Sequence, residues 1–210
     1  MASVSRSKAE RSKKRDRTRE QLLGAAMRVF AQRDVGEVSI REIATEAQVA
    51  NGTFYNYFRT KDEVVAALRM GVAARFVRAA ADSEIDDPAE RAAIAIRSLV
   101  SFALEEPEQG WALVRIVDGE RAGQPLVDCF LADLRAGMRC GRFVVDSERA
   151  AIDLAFGAAV SAMRSVLEGS AGATHPAATA ELVLRGLGVA GAEAREIVRR
   201  RMPAAFMQPW

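Results

Sequence analysis

The run Ser39-Ile40-Arg41-Glu42-Ile43-Ala44-Thr45-Glu46-Ala47-Gln48-Val49-Ala50-Asn51-Gly52-Thr53-Phe54-Tyr55-Asn56-Tyr57-Phe58 leaves this chain few ways to fold locally. Ser39 stands three residues before Glu42, the spacing of a capping box: the Ser oxygen accepts from the Glu42 backbone N–H, and the Glu carboxylate accepts from that of Ser39. Ile40, Ile43, Ala44 and Ala47 then share one face of a short helix. Gln48-Val49-Ala50 makes a turn with Val49 as its apolar plug, and a second short helix starts near Ala50 or Asn51. Phe54 and Phe58, four apart, face inward. Gly52, Thr53, Tyr55 and Tyr57 remain as a polar edge that a core would not accommodate. Upstream, Leu22, Ala26, Val29 and Phe30 recur at i, i+4, i+7 and i+8, widened by Ala25. They predict an amphipathic helix from Thr18 to Arg33, ended by Asp34-Val35-Gly36.

Charge is distributed unevenly along the chain. The formal net charge is only +2, yet Arg6, Lys8, Arg11, Lys13, Lys14, Arg15, Arg17 and Arg19 face only Glu10 and Asp16 within residues 1–19, a local excess of +6. Residues 20–61 are balanced, so residues 62–210 carry −4. A basic flexible arm over residues 1–17, next to a polar helical edge, suits a polyanion better than it suits a tail kept only for solubility.

The remaining residues read as helices throughout. Half the chain is hydrophobic while aromatics make up only 6%, a balance that favours close-packed helices over sheets. Val64, Val65, Leu68, Val72 and Phe76 line a helix from Lys61 to about Asp82. Asp86-Asp87-Pro88 starts another, carrying Ala92, Ile96, Leu99 and Val100 and ending at Glu105-Glu106-Pro107. Trp111 to Val117 predicts a short helix, and Val127, Phe130, Leu131 and Leu134 mark the next. Asp146 or Ser147 opens a helix with Ile152, Phe156, Ala159, Val160, Met163 and Leu167 on its apolar side, and shorter helices cover Ala177 to Gly186 and Gly191 to Met202.

Several classes are disfavoured. No apolar run reaches the roughly 18 residues of a membrane span, and the amino terminus lacks a secretory apolar core, so the expectation is a cytoplasmic protein with no membrane partner. Cys129 and Cys140 read as buried, reduced thiols. His175, the single histidine, sits in a Gly-Ala-Thr-His-Pro link without partners for a metal. Gly119-Glu120-Arg121-Ala122-Gly123 lacks the lysine and the strand of a phosphate loop, and no serine or cysteine has a histidine base. No enzyme, cofactor or metal site is expected.

On Ala25-Ala26 and Phe30, Ile40-Arg41-Glu42-Ile43-Ala44, Ala47-Gln48-Val49, Gly52 to Phe58 and Lys61-Asp62-Glu63, the chain resembles the tetracycline-repressor (TetR) family of one-component transcriptional regulators. The resemblance covers roughly Thr18 to Val65. It implies an all-α fold: a helix-turn-helix DNA-binding domain over residues 18–62, then a helical ligand-binding and dimerisation domain over residues 63–210. It also implies a homodimer on double-stranded DNA and a small-molecule effector. By the resemblance, Ser39, Tyr55 and Lys61 meet phosphates, Gly52 and Thr53 meet the DNA, and Arg41 touches base or backbone. Arg41, Asn51 and Thr53 are expected at base edges. Lys61 also conflicts mildly with the dipole of the helix it opens, unless a phosphate lies opposite.

Three positions depart from the family pattern. Asp34 replaces a usual glycine at the end of the first helix. Ala50 replaces a Ser or Thr cap, at about 1 kcal/mol. Asn51 replaces a frequent lysine, and can itself cap if the helix starts one residue later. For an effector, Phe102, Trp111, Phe130, Met138, Phe156 and Met163 are the candidate contacts, each equally explicable as core. The expected function is a repressor released from a pseudo-palindromic operator by a small, largely apolar molecule. The alternative is a DNA-binding regulator without a pocket, whose helical domain meets a protein.

Overall fold

A computed structural model of the chain describes residues 2–82, 85–117 and 124–204, and every regular element among them is helical. The helices are α1 (Ala2–Gln32), α2 (Ile40–Glu46), α3 (Asn51–Phe54), α4 (Lys61–Asp82), α5 (Pro88–Glu105), α6 (Pro107–Val117), α7 (Gln124–Arg139), α8 (Glu148–Leu167), α9 (His175–Gly186) and α10 (Gly191–Arg199). Their starts follow the sequence signals closely. Asp87 caps α5, its Oδ1 accepting from the Ala89 N–H at 3.0 Å, with Pro88 in the first turn. The Ser147 hydroxyl caps α8 by accepting from the Ala150 N–H at 3.2 Å. The Gly119–Gly123 stretch lies outside the described residues.

Two boundaries differ from the sequence reading. The basic segment expected as a flexible arm is continuous with α1, which begins at Ala2. No proline occurs before Pro88 and no glycine before Gly24, and Lys and Arg are good helix formers, so nothing interrupts a helix once the Leu22–Phe30 face has docked. His175, expected in a loop, is the first residue of α9.

One apolar cluster runs from Leu22 and Phe30 in α1, through Ile43, Phe54 and Val64, to Leu113 and Ile116 in α6 and on to Leu184 and Ile197. The amino-terminal three helices therefore share a core with the helices that follow. α1 packs extensively on α6, α4 on α7, and α5 against both α8 and α9. Gly110 makes the α5–α6 approach possible, since a Cβ there would lie 3.0 Å from the Ala103 Cα.

Arg115 of α6 fastens the first of these contacts. Its Nη1 donates to the Phe30 and Ala31 carbonyls at 3.0 and 2.5 Å, its Nε donates to Asp34 Oδ1 at 3.1 Å, and its guanidinium lies 5.0 Å from the Trp111 ring centroid. A cation here satisfies carbonyls that the end of α1 leaves unpaired and meets the negative end of its dipole. Asp34 thus acts as the carboxylate partner of Arg115. It is not in the left-handed region that a glycine would favour; among non-glycine described residues, only Gln48 has positive φ, at 54°.

A second arginine ties the far end of the bundle together. Arg142, in the α7–α8 connection, grips both Asp87 oxygens at 2.9 and 2.7 Å and donates to Glu193 Oε1 at 2.6 Å. Burial raises the Asp87 carboxyl, but the hydrogen bonds from Arg142 and from the Ala89 N–H outweigh it and hold the group below the usual carboxylate range. The same contacts push the Arg142 guanidinium further up.

By length and composition alone α8 (Glu148–Leu167) is long and apolar enough to cross a bilayer, although charged residues interrupt its apolar run well short of 18 residues. Alanine and the larger aliphatic residues raise the mean hydropathy of a helix that also carries Arg149, Asp153 and Arg164. In the fold, α8 packs on α5, α6 and α9.

Candidate nucleic-acid interface and effector cavity

The α2–α3 unit is built from its caps outward. At Ser39 the capping box is complete: the Glu42 N–H donates to Ser39 Oγ at 3.2 Å, and Glu42 Oε2 accepts from the Ser39 N–H at 2.8 Å and from its hydroxyl at 2.7 Å. Arg33 pairs with the other oxygen of that carboxylate. Hydrogen bonds from Ser39, helped by the Arg33 charge, hold the Glu42 carboxyl low. At the other end of α2, Gln21 Nε2 reaches across from α1 to the Ala47 carbonyl at 2.6 Å. The turn is closed by Gln48 in left-handed geometry and by the Val49 N–H on the Ala44 carbonyl at 3.0 Å.

α3 begins at Asn51, with Ala50 extended in the cap position and no side-chain cap. Asn51 therefore does not cap the helix, and its side chain stays exposed. Phe54 and Phe58 point inward as the spacing requires, 0% and 4% exposed, with ring centroids 5.8 Å apart. With these two rings anchored, the opposite side faces solvent. Arg41, Asn51 and Gly52 are exposed, Thr53 is half-buried, and Tyr55 is 53% exposed. Tyr57 is half-buried and packs on the core, so the outward edge has one tyrosine rather than two. A Cβ built on Gly52 meets nothing within 4 Å, so the protein's own packing does not require glycine there.

Lys61 sits differently from the phosphate contact expected of it. Its ammonium donates to the Val35, Gly36 and Val38 carbonyls, the last two at 3.2 and 2.6 Å. An ammonium has three donors, and here all three stitch the α1–α2 loop to the start of α4. Thr60 caps α4, accepting from the Glu63 N–H at 3.2 Å, while Glu63 Oε2 takes the Arg59 N–H at 2.7 Å. The α4 capping box is thus displaced by one residue on its carboxylate side.

Farther from this edge, a cavity of about 480 Å³ opens between α4, α5, α7 and α8. Its walls are mostly apolar: Val77 from α4, Ala92, Ile96 and Leu99 from α5, Phe130 from α7, and Phe156 and Ala159 from α8. Arg91, Asp128, Cys129 and Asp133 add a polar margin. Of the six aromatic and methionine residues singled out from sequence, Phe130 and Phe156 line this cavity, their rings perpendicular at 5.9 Å between centroids. Phe102 and Met163 are core, at 4% and 2% exposed; Trp111 backs Arg115, and Met138 is exposed and outside the lining. Sequence reasoning missed Arg91 and Asp133. The available signal was a charged pair within stretches whose other residues read as apolar faces.

The comparisons with known proteins agree with this architecture. The family description "Bacterial regulatory proteins, tetR family" matches residues 22–68, and "Tetracyclin repressor-like, C-terminal domain" matches residues 87–200. The chain belongs to the TetR family. As a TetR-family member it is a DNA-binding transcriptional regulator with a helix-turn-helix, and not an enzyme.

Among solved structures, RolR in complex with resorcinol is 30% identical, aligned over 91% of this chain and 98% of that one, with a TM-score of 0.62. FadR from Bacillus subtilis in complex with stearoyl-CoA is 21% identical over 82% of this chain and 98% of that one, TM-score 0.63, and shares the fold. An uncharacterised HTH-type transcriptional regulator of Mycobacterium tuberculosis is 28% identical over 110 residues, 52% of this chain and 51% of that protein. The chain thus spans about half the length of the curated relatives it matches.

Proposed function

We propose that this TetR-family regulator is a homodimeric repressor whose α2–α3 edges enter successive major grooves about 34 Å apart on a pseudo-palindromic operator. The observation that carries the reading is the division of the α3 segment. Phe54 and Phe58 are sealed in the core, whereas Arg41, Asn51, Gly52 and Tyr55 stand exposed beside a basic α1 extension. Ser39, Tyr55 and the exposed Lys13, Lys14, Arg15, Arg17 and Arg19 position phosphates; Arg41, Asn51 and Thr53 meet base edges, with Gly52 admitting the close approach. Lys61 acts indirectly, by fixing the α1–α2 loop from which Ser39 is presented.

The dimer forms through α8 and α9. Leu154 and Leu182 are 40% and 64% exposed, and Gly157, Ser161 and Ala178 leave the same helices slender on their outer sides. Large apolar side chains in contact with water beside small residues suit a second copy packed across a two-fold axis.

Release follows when a small, largely apolar effector occupies the 480 Å³ cavity, a volume within the range of small-molecule sites. Resorcinol bound to RolR, the 30% identical relative, supports an effector of modest size. The cavity touches α4 at Val77, and α4 starts at Lys61 beneath the α1–α2 loop. Occupancy that shifts α4 therefore changes the separation of the two reading edges. The coupling is reciprocal, so DNA disfavours the effector as much as the effector disfavours DNA. This cavity favours the effector reading over a solid domain that meets a protein.

The test is fluorescence anisotropy on duplexes that the protein itself selects from fragments of its source genome. Tyr55→Phe is expected to weaken operator and random duplex alike by about 1.5 kcal/mol, roughly tenfold, through one charge-assisted hydrogen bond. Unchanged operator affinity in that variant would overturn the assignment of Tyr55. Absence of salt-sensitive duplex binding by the unaltered protein would overturn the whole reading.

A further inference from the structure

The first helix is longer than the domain it serves. Leu22 is the first α1 side chain in the core, whereas the helix begins at Ala2. Residues 2–18 therefore add about 25 Å of helix ahead of the docked part, at about 1.5 Å per residue. Contacts along α1 give that extension a direction. Toward the carboxy-terminal end of α1, the Phe30 and Ala31 carbonyls receive Arg115 of α6. Toward the other end, Gln21 reaches the Ala47 carbonyl beside the helix-turn-helix turn, and the Arg19 guanidinium lies 5.3 Å from the Phe58 ring centroid. A helix continued past Arg19 leaves the body on the side of the α2–α3 unit, away from α6.

The charge on this extension has no use inside the protein. Within residues 2–18, seven basic residues face only Glu10 and Asp16, an excess of +5. Lys13, Lys14, Arg15 and Arg17 are exposed, and none of the four side chains has an ion-pair partner among the described residues. Arginines in the body are placed otherwise: Arg28, Arg33, Arg115 and Arg142 each hold a carboxylate. Arg11–Arg15, Lys13–Arg17 and Arg15–Arg19 also stand one turn apart, a like-charge spacing that weakens an isolated helix. An anionic surface alongside would remove that repulsion.

We propose that residues 2–18 form a second DNA-docking element, separate from the α2–α3 edge, which grips phosphates of the duplex flanking each half-site. The proposal rests on the DNA reading of that edge and adds to it the length of duplex the protein needs. About 25 Å of helix spans about seven base pairs at 3.4 Å each. Phosphate contacts carry no base information, so the flanks contribute affinity whatever their sequence.

Anisotropy on two duplexes tests this. One is a genome-selected core of about 18 base pairs, enough for two grooves one turn apart; the other adds about eight arbitrary base pairs at each end. The full chain is expected to bind the longer duplex at least tenfold more tightly at about 0.1 M salt. A variant with Lys13→Gln, Lys14→Gln, Arg15→Gln and Arg17→Gln keeps good helix formers at exposed positions. It is expected to bind the core within about threefold of the unaltered protein and to lose the preference for length. Its log–log salt slope on the longer duplex is expected to be smaller by at least about 3, within a limit of about 7 for four cations on each of two protomers. Thr18→Pro keeps every charge but breaks the helix just ahead of its docked part, and it too is expected to lose the preference.

An unaltered protein that binds both duplexes alike overturns the inference and leaves the α2–α3 reading standing. So does a glutamine variant that keeps the full preference, or one weakened equally on both duplexes, since its cations would then act on the core. Full retention of the preference in Thr18→Pro overturns the projecting helix. Absence of salt-sensitive binding to either duplex removes both readings.

Discussion

Replacing Gly52 with alanine adds one methyl group at a position where the protein has open space and no left-handed backbone. A built Cβ meets no heavy atom within 4 Å, and the residue lies in the first turn of α3. The folded state therefore has no steric reason to object. Alanine also narrows the unfolded ensemble, so unfolding free energy is expected to hold or rise by about 0.4–1 kcal/mol. For a chain of this length that corresponds to a midpoint shift of about +1 to +4 °C. On DNA the expectation reverses. If the α3 backbone lies against the duplex, the methyl group occupies contact space, and overpacking of this kind costs about 1–3 kcal/mol, roughly five- to 150-fold in affinity. Thermal unfolding by circular dichroism and anisotropy on a selected operator duplex measure the two effects on one preparation. A variant that keeps its stability and binds operator as tightly as the unaltered protein would refute the close approach. A fall in midpoint of several degrees would refute the open space.

Other changes test the framework that presents this edge. Arg115→Met removes the hydrogen bonds from α6 to the end of α1; a loss of about 1.5–3 kcal/mol in urea unfolding is expected, and a loss below about 0.5 kcal/mol would show that the α1–α6 contact does not depend on it. Gly137→Ala would place a Cβ 2.1 Å from the Phe143 ring, so a cost of about 1–3 kcal/mol is expected, relieved in part by Phe143→Leu; an undisturbed unfolding midpoint would contradict the packing. The carboxyl of Asp87 is depressed in the fold, so its contribution is present above its unfolded pKa of about 3.9 and is lost as pH falls through its lower folded value. Asp87→Asn is therefore expected to lower stability at pH 7 and to flatten its decline below about pH 4, and an unchanged acid limb would remove the Arg142–Asp87 pair from the account.

What could be read in the chain and what could not divide along a physical line. Signals confined to a few neighbouring residues survive into the fold: the Ser39–Glu42 box, the Asp87 and Ser147 caps, the Phe54–Phe58 anchor, and the apolar faces that set α4 to α8. Signals that depend on what comes from elsewhere do not. Lys61 looks like a free cation at a helix start because nothing nearby shows that three carbonyls, 23 to 26 residues upstream, converge on it. Phe102 and Phe130 are indistinguishable by spacing, and only the placement of α5 between its neighbours makes one core and the other a cavity wall. The Arg91–Asp133 pair joins residues 42 apart. The helical course of the basic segment was legible in principle from its lack of glycine and proline, but its charge outweighed that signal.

The central claim is that the exposed edge spanning Ser39 to Tyr57 is where duplex DNA docks. Hydrogen–deuterium exchange of the protein with and without a genome-selected duplex tests it directly. The account predicts slowed exchange in peptides covering residues 39–57 and the basic start of α1, with the cavity helices little changed. Slowed exchange confined to other helices, with residues 39–57 exchanging as in the free protein, would contradict it.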